Sequence, residues 1–171
     1  MVGSSIVRSL IKNKFTNIIR TSRKQLNLLN QSEVLNFFKN QKFDFVFLCA
    51  ARVGGIKDNI NNKFQFIYEN LQIQNNIINS AFKTGVQNLI FLGTSCIYPR
   101  ESKQPIKEEY LLTGSLEMSN QYYSIAKIAG IKLCESLNVQ FKTNYLTVMP
   151  TNLYGPNDNY DLENSHVIPA L

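Results

Sequence analysis

Cysteine is scarce, histidine scarcer, and long apolar runs are missing from this chain of 171 residues. Its three cysteines, Cys49, Cys96 and Cys134, are an odd number and form no CxxC pair, which argues against a disulfide framework or a zinc site and fits a reducing compartment. No apolar stretch approaches the roughly 18 residues that a membrane helix needs. Met1–Ser4 lacks the charged and apolar regions of a secretory signal. The net charge of +6 is scattered rather than gathered into basic blocks, so phosphate-bearing small molecules suit it at least as well as nucleic acid does. Internal repeats and low-complexity linkers are also missing. The expectation is a soluble, cytoplasmic protein with no nucleic-acid and no membrane partner. With 44% hydrophobic and 18% charged residues the composition excludes disorder. A chain of this length buries roughly 70% of its unfolded surface, which suits one domain or a piece of a larger one.

Periodicity supplies the organisation. Val2, Ile6 and Leu10, widened by Val7 and Ile11, predict an amphipathic helix over residues 3 to 12. Asn17–Arg20 reads as a short strand, and residues 32 to 40 as a helix capped by Asn30 or Ser32. Phe43–Cys49 is almost wholly apolar and predicts a buried parallel strand. A long helix over about 60 to 83 stops at Gly85, and the next strand spans Leu89–Gly93. After a long loop come a helix over residues 122 to 137 and a strand at Tyr145–Met149 ended by Pro150. Strand and helix alternating at this spacing predict right-handed βαβ units, an α/β fold with a Rossmann-like doubly wound parallel sheet.

In such sheets ligands bind beyond the carboxyl ends of the strands, so the residues just after each strand are weighed first. Those segments are Arg20–Arg23, Ala50–Gly55, Gly93–Cys96 and Pro150–Gly155. Small residues in any one of them are explained equally well by close packing; four at one edge favour a ligand. Tyr123 and Lys127 stand four apart on a predicted helix and share a face. An ammonium beside a phenol favours the phenolate and would lower the tyrosine pKa, which makes the ring a proton donor or acceptor near neutrality. Thr94 or Ser95 could add a hydroxyl to hold a substrate oxygen. The plain alternative is a half-exposed helix face. Cys96 and His166 form a second candidate acid–base pair, although sequence alone does not bring them together. An NAD site would carry an acidic residue after the first visible strand; Arg20 and Arg23 stand there instead, which prefers the 2′-phosphate of NADP.

Together these segments resemble the extended short-chain dehydrogenases/reductases, and within them the branch that epimerises and reduces GDP-linked keto sugars. The resemblance is carried by Met1–Ser4, Leu26–Leu29, Ala50–Ile56, Phe91–Pro99, Tyr123–Gly130, Met149–Pro156 and Asn164–Leu171, so it runs over essentially the whole chain. It implies that Tyr123 protonates a C4 carbonyl oxygen while NADPH delivers hydride, and that Lys127 holds the nicotinamide ribose. Thr94 would stand in for the usual substrate-binding serine, and Cys96 and His166 would be the base and acid of two epimerisations at C3 and C5. It further implies an NADP(H) site lined by Met1, Val2, Gly3, Arg23, Asn27, Leu28, Ala50, Ala51, Leu92, Gly93, Thr94, Ser95, Lys127, Pro150, Thr151, Asn152, Leu153 and His166, with no metal. A GDP-sugar substrate and a homodimer of the intact protein complete the implied picture.

Against that family pattern Met1 falls inside the dinucleotide fingerprint, of which only the last glycine, Gly3, remains. The expectation is therefore a partial NADP-binding domain over 1–171 that lacks the first strand and most of a C-terminal substrate domain, the latter starting at about 152–171. The absent strand is expected between the strands that end at Arg20 and Gly93. Two alternatives stay open: a non-catalytic remnant or partner of a complementary chain, and a different nucleotide-sugar epimerase or dehydratase of the same extended family.

Overall fold

A computed structural model describes residues 1–161. Helix α1, Val2–Lys12, is followed by an irregular segment and helix α2, Gln31–Lys39. Asn30 caps α2 by accepting from the Ser32 and Glu33 amides, and its own side-chain amide donates to Glu33 Oε1 at 2.7 Å, a reciprocal arrangement that satisfies the first turn. Strand β1, Phe45–Leu48, leads into the short helix α3, Ile56–Asn61, and the long helix α4, Lys63–Lys83. Strand β2, Asn88–Leu92, precedes a long loop with two single 3₁₀ turns; helix α5, Gln121–Phe141, and strand β3, Asn144–Val148, complete the described fold.

The sheet is parallel with order β1-β2-β3, Phe45 facing Asn88 and Asn88 facing Asn144 in register. One face packs on α4 and α5. Leu89, Phe91 and Tyr145 point to it and are almost fully buried with Ile78, Ala81, Ile131 and Cys134. Phe45, Phe47, Leu146 and Val148 alternate to the opposite face and are exposed. α4 and α5 approach closely because position 130 is glycine: a Cβ there would lie 2.6 Å from the Phe91 ring and 2.8 Å from Gln74 Oε1.

Three expectations need correction. Asn17–Arg20 forms no strand, because a strand is defined by its ladder and this segment finds no paired neighbour among the described residues. The predicted gap also lies elsewhere. β2 is paired on both sides, to β1 and to β3, so the unpaired edges among the described residues belong to β1 and β3, and no gap adjoins β2. A cavity of about 360 Å³ lined by Val7, Ile11, Phe15, Thr16, Ile18 and Arg20 separates α1 from the Phe15–Arg20 segment. The helix expected over 60 to 83 is also divided: Asn62 (φ −119°, ψ 40°) breaks it into α3 and α4.

Candidate functional site

The chemistry-bearing side chains come from the carboxyl ends of β1 and β2 and from the first turns of α5. Lys127 is 3% exposed. Its Nζ donates to the Leu92 carbonyl at 2.7 Å and lies 4.7 Å from the Phe91 ring centroid and 5.7 Å from that of Tyr123. Burial lowers its pKa from the ordinary lysine value to about 8, opposed by the nearby Cys49 thiol. Tyr123 packs edge-on against Phe66, centroids 6.2 Å apart. The lowered tyrosine pKa expected from its lysine neighbour is not what the site without ligand produces. Burial pushes the Tyr123 phenol up, and Cys96 pushes in the same direction. The phenol is therefore neutral here, and burial makes it a weaker acid than a free tyrosine.

The turn after β2 is built around Thr94, whose Oγ1 accepts from the Cys96 amide at 3.3 Å and caps the 3₁₀ turn Ser95–Ile97. Ser124, fully buried, donates from Oγ to the Cys96 carbonyl at 2.9 Å and locks this turn onto α5 beside Tyr123. Sequence reading missed Ser124; its place next to Tyr123 on a helix that must face the β2 loop was the available signal. Thr94, Cys96, Tyr123 and Lys127 are thus brought to one edge of the sheet. Leu92 and Gly93 adjoin them, the Gly93 amide donating to Val148 O at 2.8 Å and the Ser95 amide to Pro150 O at 3.3 Å. The latter bond ties the start of Pro150–Leu153 to the same edge; Thr151, Asn152 and Leu153 themselves are exposed. His166 lies outside the described residues.

A cleft of about 300 Å³ runs beside this edge. Arg23, Asn27, Leu28, Ala50 and Ala51 all line it, together with Thr21, Ser22 and Cys49. Arg20 does not; it borders the α1 cavity instead. Met1, Val2 and Gly3 form the start of α1, where a Cβ on Gly3 would sit 3.6 Å from Cys49 Cβ. The Thr21 hydroxyl and the Arg23 guanidinium are groups suited to a phosphate, while the Ser22 hydroxyl donates to Gln25 Oε1 at 2.9 Å. The one carboxylate lining the cleft, Glu69, is engaged by Arg52 Nη1 at 3.2 and 3.4 Å, so its charge is answered within the protein. These residues fit the adenosine 2′-phosphate end of NADP.

A parallel α/β sheet carrying a hydroxyl, a Tyr-xxx-Lys pair and a basic nucleotide cleft at its carboxyl edge defines the short-chain dehydrogenase/reductase class of nucleotide-dependent enzymes. The profile of the NAD dependent epimerase/dehydratase family matches residues 1–171, and the chain belongs to that family. It is 52% identical over 171 residues to GDP-L-fucose synthase 1 of Arabidopsis thaliana, covering 100% of this chain and 53% of that protein. With GDP-L-fucose synthase of Escherichia coli (strain K12) it shares 52% identity over 171 residues, again covering 100% of this chain and 53% of the relative. A Campylobacter jejuni GDP-D-glycero-L-gluco-heptose synthase, solved in the presence of NADPH, superposes with a TM-score of 0.94 at 43% identity over 98% of this chain and 49% of its own. The chain spans about half the length of the curated relatives it matches.

Proposed function

We propose that this chain belongs to an NADPH-dependent GDP-L-fucose synthase, which epimerises GDP-4-keto-6-deoxy-D-mannose at C3 and C5 and reduces it at C4. The observation that carries the reading is the convergence of Tyr123, Lys127, Thr94 and Cys96 on one sheet edge beside an arginine-lined cleft, in a chain half identical to GDP-L-fucose synthases. NADPH, when bound, supplies the hydride. Arg23 holds its 2′-phosphate and Lys127 its nicotinamide ribose. The Thr94 hydroxyl orients the C4 carbonyl, and Tyr123, kept protonated by burial, gives its proton to the C4 oxygen as the hydride arrives. Cys96 and His166 remove and return the protons beside the ketone on opposite faces of the ring. Residues from about 152 onward begin the substrate-binding region.

The full protein is proposed to be a homodimer that pairs through a helix bundle including α5. The exposed Ile125 on α5 and the stacked, exposed Phe64 and Tyr68 on α4, centroids 5.2 Å apart, support this face. A second reading, a non-catalytic partner for a complementary chain, is favoured by one feature alone, the open apolar edge of β1. Incubating the full-length protein with GDP-4-keto-6-deoxy-D-mannose and NADPH separates the readings. Stoichiometric NADPH oxidation with appearance of GDP-L-fucose supports the first, and no turnover defeats it.

A further inference from the structure

We propose that α4 sets the walls of the cofactor cleft through three buried amide side chains, Asn70, Gln74 and Asn76, which act as positioning residues by gripping the backbone of three separate segments. The inference rests on the NADPH reading above. The three side chains are 2%, 2% and 3% exposed. Asn70 holds the two peptide units that flank the Arg52 Cα: its Oδ1 accepts from the Arg52 amide at 2.9 Å, and its Nδ2 donates to the Arg52 carbonyl at 3.0 Å and to Phe66 O at 2.7 Å. Asn76 Nδ2 donates to the Leu28 carbonyl at 2.9 Å. Gln74 Nε2 donates to the Ala126 carbonyl at 2.7 Å. Leu28 and Arg52 belong to two walls of the 300 Å³ cleft. Ala126 immediately precedes Lys127.

Packing alone does not call for these residues. Asparagine is a poor helix former, and a buried amide costs desolvation that an apolar side chain of the same volume avoids. What the amides supply is position. Leu26–Leu29 and Ala50–Arg52 belong to no helix or strand, so no ladder holds their backbones and a side-chain bond from a rigid helix does so instead. Gln74 acts across the α4–α5 contact, where the absence of a side chain at Gly130 leaves room for its Oε1. One helix therefore sets the adenosine end of the cleft through Asn70 and Asn76, while through Gln74 it fixes how α5, the helix that carries Lys127, seats against it.

The test uses near-isosteric variants of the full-length protein, Asn70→Leu, Gln74→Met and Asn76→Leu, each read by thermal midpoint, by amide hydrogen exchange without nucleotide, and by affinity for two cofactor fragments. Those fragments are 2′,5′-ADP, which samples only the adenosine end, and reduced nicotinamide mononucleotide, which samples only the other. Asn76→Leu and Asn70→Leu are expected to weaken 2′,5′-ADP about tenfold, the size of one lost hydrogen bond, with the mononucleotide unchanged. Gln74→Met is expected to give the reverse. Exchange should rise at the Arg52 amide in Asn70→Leu and around Leu28 in Asn76→Leu, and not elsewhere. Equal weakening of both fragments in step with the thermal midpoint would overturn the proposal in favour of a general structural role, as would unchanged affinities. If the parent protein binds neither fragment, the NADPH reading fails. The exchange pattern would then still decide whether the amides position these loops.

Discussion

Lys127 Nζ lies 2.7 Å from the Leu92 carbonyl oxygen, at the end of the central strand, with the Phe91 ring 4.7 Å below it. Among the described residues this buried ammonium donates to a neutral backbone acceptor, and burial brings its pKa down to about 8. The folded protein therefore releases this proton more readily than the unfolded chain does. Stability contributed by position 127 is lowest below pH 8 and recovers as pH rises toward the unfolded lysine value. Urea titrations of the parent and of Lys127→Met at pH 7 and pH 9.5 should show the parent gaining about 2 kcal/mol on the variant between the two. A constant difference would mean that the ammonium is not penalised by burial.

Tyr123→Phe removes the proposed donor to the C4 oxygen, and Cys96→Ala the proposed base. Reduction by Tyr123→Phe is expected to fall by about 10² to 10⁴-fold, while uptake of solvent deuterium at C3 and C5 persists. Cys96→Ala should abolish that uptake. Mass spectrometry of the recovered GDP-sugar reads both, and the opposite pattern reverses the assignment.

Arg23 faces the cleft and Arg20 does not. Arg23→Ala is expected to raise the Kd for NADPH roughly tenfold or more, as befits loss of a hydrogen bond to a charged group, and to leave NADH unchanged. Arg20→Ala should alter neither. Fluorescence titrations with both cofactors measure the four values.

Gly130→Ala drives a methyl group to within 2.6 Å of the Phe91 ring and 2.8 Å of Gln74 Oε1. Both neighbours are almost fully buried, so the expected cost is about 1 to 3 kcal/mol, seen as a lower thermal midpoint.

Ser124→Ala leaves the Cys96 carbonyl without its 2.9 Å partner. A loss of about 1 kcal/mol is expected, with a larger effect on epimerisation than on NADPH affinity, because the bond steers the turn that carries Cys96. Equal effects on both would mean that Ser124 stabilises the fold without steering that turn.

Helices and strands with their own periodicity were legible before any coordinates. The alternation of Leu89 and Phe91 with partly exposed neighbours, the four-residue step from Tyr123 to Lys127 and the Asn30 cap are local properties, set within one element by backbone geometry. Asn17–Arg20 misled because its composition favours a strand that no paired neighbour completes. The misplaced gap had the same origin: pairing partners are chosen across the chain, so nothing local to Phe45–Leu48 announced that its partner is β2.

Sequence by itself therefore determined the parallel α/β class and the family, and it singled out the side chains proposed above as reactive, because residue type and spacing along one element are enough for each. Tertiary structure alone decided that burial pushes the Tyr123 phenol up rather than down, and how Asn70, Gln74 and Asn76 reach carbonyls 18, 52 and 48 residues away. Those outcomes depend on burial and on contacts between distant segments, which exist only once the helices have packed on the sheet.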